Sequence, residues 1–383
     1  MEKEYIEGVA TYVGFVIGAG ILGIPFVVAK SGYLVGLIDI ILIGLIFLVL
    51  NMYLGEIVLR TKGSHQLVGY ANIYLGSKGK MLMAFSVIFG MTGSLIAYIV
   101  KGGEFLQTVL APYLGGFHII YSLIFIIPLT ILVYRGLKSV KHSEVIMVAI
   151  ILFIIILFTV ISLPHIEIQN LQGFNKELFF LPFGVVMFAF LGTGAVPEIR
   201  EELKKKKYLM KKTIMTGALI VLAVYVIFAT VVVGISGTNV TDGAVIGLGN
   251  ILGPKFLVLG VIFGLLTMGT SFIAIGMALK ECYMFDYKMK KTTAYLLTSL
   301  LPLGIATIII LMDIQNAFFR IIDITGIIAG GLAGFVIVPM IWKAKKFGKR
   351  KPEYTIKDNK ILESAIILVF LLGVLFEFYR ILF

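Results

Sequence analysis

Along the chain, apolar runs of the length a bilayer-spanning helix needs, about 20 residues, alternate with short polar connections. Eleven such runs are bounded by Gly, Pro or charge clusters: 7–30, 33–56, 81–110, 117–134, 143–163, 179–203, 209–235, 256–280, 293–312, 317–342 and 360–380. They are continuous rather than alternating with a period of two, which predicts helices and not the strands of a membrane barrel. The first run does not read as a cleavable signal peptide, because its start, MEKEYIEG, lacks a basic region and the apolar stretch is too long. The expectation is an all-α integral membrane protein of eleven transmembrane helices.

Two runs break the pattern. The first carries GFVIGAGILGIPF, with Gly14, Gly18, Gly20, Gly23 and Pro25 close together. The sixth carries VVMFAFLGTGAVPEI, with Gly192, Gly194 and Pro197. Each has a Gly-x-Gly near its midpoint and a proline a turn or so later, so helices 1 and 6 are expected to be broken. Gly18 and Gly192 are 174 residues apart, with five spans from the start of one unit to the start of the next. Five is odd, so the second unit starts from the opposite side of the membrane. The first ten spans thus read as a 5+5 inverted repeat, followed by one C-terminal helix. The predicted divisions are 1–163 for the first repeat, 164–342 for the second, and 343–383 for a basic loop and the eleventh helix.

Paired interruptions in inverted halves point to the binding site of a secondary transporter. Glycine lowers the cost of leaving helical geometry, and proline removes a helical hydrogen bond. The freed N–H and C=O groups cannot stay unpaired in hydrocarbon, so they line a cavity and bind something. The N–H end of a half-helix suits a carboxylate, and the C=O end suits an ammonium group or Na⁺. A neutral amino acid uses both: its carboxylate at Gly18, Ala19, Gly20 and Ile21, its amine at carbonyls near Ala189, Phe190 and Gly192. The competing reading is that small-residue clusters such as Gly14 and Gly18 only let helices pack closely.

Net charge is +12, which raises the question of nucleic acid. With the N-terminus in the cytoplasm, 27 of the 33 Lys and Arg residues fall in cytoplasmic loops, and Lys30, Lys101, Lys176, Lys255, Arg320 and Arg380 do not. That split follows the positive-inside rule and places the C-terminus outside. The charge is therefore a topology signal with no nucleic-acid role, although the run Lys204 to Lys207 also suits anionic lipid. The composition agrees with a membrane protein: 59% of residues are hydrophobic, 14% are charged, and the mean hydropathy is +1.04. With one Cys, no intrachain disulfide is possible. The four His (His65, His118, His142, His165) lie near span ends, and no metalloprotease or P-loop string occurs. No cofactor beyond a coupling ion, Na⁺ or H⁺, and no obligatory protein partner is expected.

The string GFVIGAGILGIPF resembles the first helix of the amino acid/auxin permease family, within the amino acid–polyamine–organocation superfamily. FAFLGTGAVPEI is similar to that family's sixth helix, and GSLIAYIVKGGEFL to the third helix of aromatic amino-acid permeases in the same group. The resemblance implies the inverted-repeat bundle of the bacterial leucine transporter with an eleventh helix added. It implies Tyr98 and Phe190 as substrate contacts. LLTMGTSFIAIG resembles the eighth helix of that transporter, which implies a sodium site of Thr270 and Ser271 hydroxyls with carbonyls of Gly14, Ile17 and Thr267. Sodium-coupled members tend to carry Asn where this chain has Gly14, so that side-chain ligand is missing. A basic substitute for the ion is not visible either, since the fifth span contains no Lys.

Charges at membrane depth are costly and default to functional candidates. These are Asp39, Glu198, and the i,i+3 pairs Lys101/Glu104 and Arg320/Asp323, which read most simply as local ion pairs near the interface. A membrane enzyme is disfavoured, since no Ser/His/Asp, paired-His or polyacidic motif lies at membrane depth. A sensor on a transporter fold is disfavoured by the lack of a long soluble tail, and a channel does not need two broken helices. The expectation is a multi-pass plasma-membrane transporter of neutral amino acids, aromatic or branched, with Na⁺ coupling favoured over H⁺.

Overall fold

A computed structural model describes residues 3–136 and 141–382. Lys138 and Phe383 lie outside the described residues, as do the side chains of Lys141, His142 and Arg380. All regular structure among the described residues is helical. In chain order the helices are α1 (Lys3–Val16), α2 (Gly20–Ser31), α3 (Tyr33–Arg60), α4 (Leu67–Leu114), α5 (His118–Arg135), α6 (Lys141–Ser162), α7 (Phe183–Ala189) and α8 (Ala195–Leu203). The order continues with α9 (Met210–Ser236), α10 (Val245–Leu252), α11 (Pro254–Glu281), α12 (Lys291–Leu311), α13 (Ala317–Thr325), α14 (Gly331–Phe347) and α15 (Lys360–Leu382).

Among the described residues, eight helices are long and apolar enough to cross a membrane, and α1 with α2, bent by 53° at a short break, makes a ninth segment. α7 and α8 are each too short to cross alone. Helices dominate because hydrocarbon offers the backbone no partners, and a helix satisfies its own. α13 and α14 run on through a π-helical turn, Gly326–Gly330. α4 is longer than the pattern predicts and kinks at Gly76, whose φ of 68° is left-handed. α10 was not predicted. Its apolar stretch, VIGLGNIL, is too short to span and sits in the connection between α9 and α11.

Burial separates centre from rim. The apolar stretch of α4 is 72% buried and that of α12 only 28%, so α4 is a central post and α12 a lipid-facing strut. α1 packs against α6, α8, α9 and α11, and α2 against α3, α7 and α9. α4 packs against α5, α11, α12, α13 and α14. The two short half-helices α2 and α7 also touch each other. Without a hydrophobic force between helices in lipid, such contacts depend on small residues that let backbones approach. The central one is Gly20 on Ala189, where an added Cβ would lie 2.5 Å from the Ala189 Cα.

Candidate functional site

The chain leaves helical geometry at residues 17–19 and again at 190–194. At the first break, Val16 ends α1 and the amide of Gly18 turns back to the Val16 carbonyl at 2.9 Å. The carbonyls of Gly14 and Ile17 are met from another helix. Ser271 of α11 places its Oγ 3.0 Å from the Gly14 oxygen and 3.2 Å from the Ile17 oxygen, and is wholly buried. In the same helix, the Thr270 hydroxyl donates to the Thr267 carbonyl at 3.0 Å, and the Thr267 hydroxyl to Gly264 at 3.0 Å. Three of the five expected cation ligands (Gly14, Ile17, Ser271) therefore meet directly. The other two, Thr267 and Thr270, pair with each other one turn along α11. The donors are neutral carbonyl and hydroxyl oxygens, a set that suits a small hard monovalent cation.

Tyr98 of α4 reaches the same place. Its hydroxyl faces the Ser271 side chain and the backbone amide of Ala19. Gly18 is small because both groups crowd it: a Cβ there would lie 2.5 Å from the Tyr98 Oη and 2.9 Å from the Ser271 Oγ. The amides of Gly20 and Ile21 open α2, at the end of a helix where N–H groups lack intrahelical acceptors. A cavity of about 40 Å³ adjoins them, bounded by Val16, Gly20, Tyr98, Phe188, Leu191 and Thr193 among others. Ligand pockets run from about 300 Å³, so an amino acid fits only after the lining side chains shift.

At the second break the chain answers most of its own carbonyls. Amides of Leu191, Gly192, Ala195 and Val196 bond carbonyls of Phe188, Phe190, Gly192 and Thr193. Phe190, expected to face the substrate, does not bound this cavity. Its ring is edge-on to Tyr225 at 5.0 Å and lies over Gly44 of α3. Phe188 and Leu191 bound the cavity in its place. The Ala189 carbonyl, expected to take an amine, is already 2.9 Å from the Tyr225 hydroxyl.

Sequence reasoning missed Tyr225 and the pair Asn51–Tyr12. The Asn51 amide of α3 donates to the Tyr12 hydroxyl at 2.7 Å, one turn before the first break. Their only sequence signal is a lone polar group inside an aliphatic run. Of the charged candidates, Lys101 is more than a local partner of Glu104. Wholly buried, it also binds Asp242 at 2.7 Å and so ties α4 to the connection before α10. Arg200 of α8 is buried and donates to carbonyls of Gly63 at 2.5 Å and Thr61 at 3.2 Å, in the α3–α4 connection. Glu198, two residues earlier in α8, is half-buried. Asp323 is buried against Gly184 of α7, while Arg320 is exposed. Asp39 is buried in α3 with its Oδ2 lacking a hydrogen-bond partner.

Comparison with known proteins gives a family. The model described as the tryptophan/tyrosine permease family matches residues 1–379. The family so matched is not the amino acid/auxin permease family that the helix strings resemble, although both comprise amino-acid permeases. The tyrosine-specific transport system 1 of Haemophilus influenzae is 24% identical over 94% of this chain and 92% of its own length. The methylthioribose transporter of Bacillus subtilis is 24% identical over 85% of this chain and 72% of its own. Among solved structures, MhsT in complex with L-phenylalanine matches over 98% of both chains, with a TM-score of 0.74 at 14% identity. At that identity the likeness is one of fold.

Proposed function

The chain belongs to the tryptophan/tyrosine permease family, and on that premise we propose that it is a Na⁺-coupled secondary transporter of neutral aromatic amino acids, working by alternating access. The observation that carries the reading is the Ser271 hydroxyl meeting the Gly14 and Ile17 carbonyls at the break in the first helix. A cation there would be held by Gly14, Ile17, Thr267, Thr270 and Ser271. The substrate carboxylate would take the amides that open α2, beside the Tyr98 hydroxyl, and its side chain the space now closed by Phe188 and Leu191. The name of the Haemophilus relative and the L-phenylalanine in MhsT support an aromatic substrate. With no fixed charge bounding the cavity, a substrate with a charged side chain would be buried unpaired and is excluded.

The reading includes eleven spans in two inverted five-helix halves, with α1–α2 and α7–α8 as the broken helices and α15 as the addition. Matching packing supports it: α6 lies on α1 as α13 lies on α7. The N-terminus is placed inside and the C-terminus outside. The native Cys282 is buried, so a cysteine introduced near Phe383 would report the outer end cleanly. The deciding experiment is uptake of labelled L-tyrosine and L-phenylalanine into proteoliposomes, with Na⁺ and pH gradients imposed separately. Accumulation driven by Na⁺ alone is expected. Accumulation driven by a pH gradient and indifferent to Na⁺ selects proton coupling, for which buried Asp39 is the first carboxylate to neutralise.

A further inference from the structure

Two helix ends aim their last carbonyls at one side chain. Val16 closes α1 and Ala189 closes α7, the half-helices that lead into the two breaks. The hydroxyl of Tyr225, near the middle of α9, lies 2.9 Å from each of these oxygens. Tyr225 is wholly buried, and its ring stacks edge-on against Phe190. Carbonyls at a helix C-terminus have no intrahelical donor and carry the negative end of the helix dipole. Two such ends brought together repel; the Val16 oxygen already takes the Gly18 amide at 2.9 Å and keeps one lone pair, while the Ala189 oxygen, away from water, needs a donor or a cation. A phenol supplies one proton, which lies between both oxygens. Its surroundings in the sequence, LIVLAVYVIFATVVV, are otherwise almost wholly aliphatic, so the hydroxyl serves these carbonyls and nothing along its own helix.

We infer that Tyr225 is a positioning residue that fastens the two helix breaks together, its proton standing where a cation would otherwise be drawn by the paired carbonyl ends. The two breaks then move as one unit, and the start of α2 keeps its register against the cavity. The Gly20–Ala189 contact sits beside the fastening and has no slack of its own, since both partners are backbone at closest approach. A consequence concerns the substrate. The Ala189 carbonyl is committed to Tyr225, so the amine falls to carbonyls further along the second break. That consequence rests on the transporter reading; the fastening does not.

The test compares the full chain in nanodiscs with Tyr225→Phe, which keeps the ring and removes only the hydroxyl. Tyr33→Phe serves as control, because the Tyr33 hydroxyl also pairs with α9, at Thr230, but meets no carbonyl of either break. Hydrogen exchange should rise together in peptides covering residues 13–22 and 186–196, although Tyr225 lies in neither, with α12 unchanged. Affinity for L-tyrosine and L-phenylalanine should fall about tenfold, the size expected when a buried carbonyl loses its donor. Tyr33→Phe should leave both readouts alone. Exchange that rises at one break only, or at neither, overturns the fastening. So does an unliganded melting temperature lowered as far as in Tyr225→Leu, which would mark a general packing role. If the wild type binds neither amino acid, the transporter reading fails while the exchange comparison still decides the role of Tyr225.

Discussion

At the first break the chain's own amides answer Val16 and Ala19, but the Gly14 and Ile17 carbonyls are met by a side chain from another helix, whereas at 190–194 the amides that answer carbonyls are the chain's own. The first break is short, and its geometry depends on Ser271 of α11, with Tyr98 of α4 against the same residues. The second is longer and closes through local turns, leaving Ala189 as the carbonyl answered from outside. A break stapled by remote side chains responds to anything that moves those helices or competes for those oxygens, as a cation does. A break that satisfies itself is a hinge or a wall. Under the proposed coupling, the difference would put the ion's influence on the first helix and shape on the sixth, from sequence motifs that look nearly the same.

The largest effect should come where the two breaks touch. Gly20→Leu puts a branched side chain where even a Cβ would lie 2.5 Å from the Ala189 Cα and 3.2 Å from its nitrogen. Backbone cannot yield as a side chain does, so uptake should be abolished, and Gly20→Ala should already lower it more than tenfold. Uptake per molecule of monodisperse protein checks this, and near-normal transport by Gly20→Ala would break the picture of abutting breaks.

Next in size is the staple of the first break. Ser271→Ala leaves the Gly14 and Ile17 carbonyls buried without a donor, a cost of about 1–3 kcal/mol. Na⁺ stimulation should vanish and substrate affinity fall tenfold or more. Thr270→Ala removes a proposed ligand whose half-buried hydroxyl bonds within its own helix and holds neither broken carbonyl, so it should weaken the Na⁺ response less than Ser271→Ala does. Equal effects of the two substitutions would dissolve the distinction between direct contact and neighbour. Titrating uptake against Na⁺ for both variants measures it.

The smallest effect belongs to the self-satisfied break. A Cβ on Gly192 meets the side chain of Val16 rather than backbone, so one side chain must shift. Overpacking of that kind costs about 1 kcal/mol, so Gly192→Ala should lower uptake about fivefold and leave the Na⁺ response unchanged. A lost Na⁺ response in this variant would show that the second break also senses the ion.

Legibility followed the range of the interaction. Spans, and the places where two of them are interrupted, were visible because apolar length and Gly/Pro placement are local. α10 and the extension of α4 below its kink were not, since neither is long or apolar enough to announce a membrane segment. In the site, Gly14, Ile17 and Ser271 were named from resemblance and do lie together. Phe190 was named on the same ground and faces α3 and α9. A string of residues says that an aromatic sits at a break, but the side of the break it faces depends on neighbouring helices.

By itself the sequence determined that this chain lives in a bilayer as helices, because hydrocarbon permits few other arrangements of so apolar a backbone. It marked the two glycine- and proline-rich stretches where the chain leaves helical geometry, because those residues set that cost position by position. Only the tertiary structure decided what answers the broken ends. Lys101 finds Asp242 across 141 positions, Ser271 finds Gly14 across 257, and Tyr225 finds Val16 across 209. A lone polar side chain in an aliphatic run carries no mark of its partner. Its partner is chosen when packing brings an unpaired backbone oxygen within reach, in a medium that offers that oxygen nothing else.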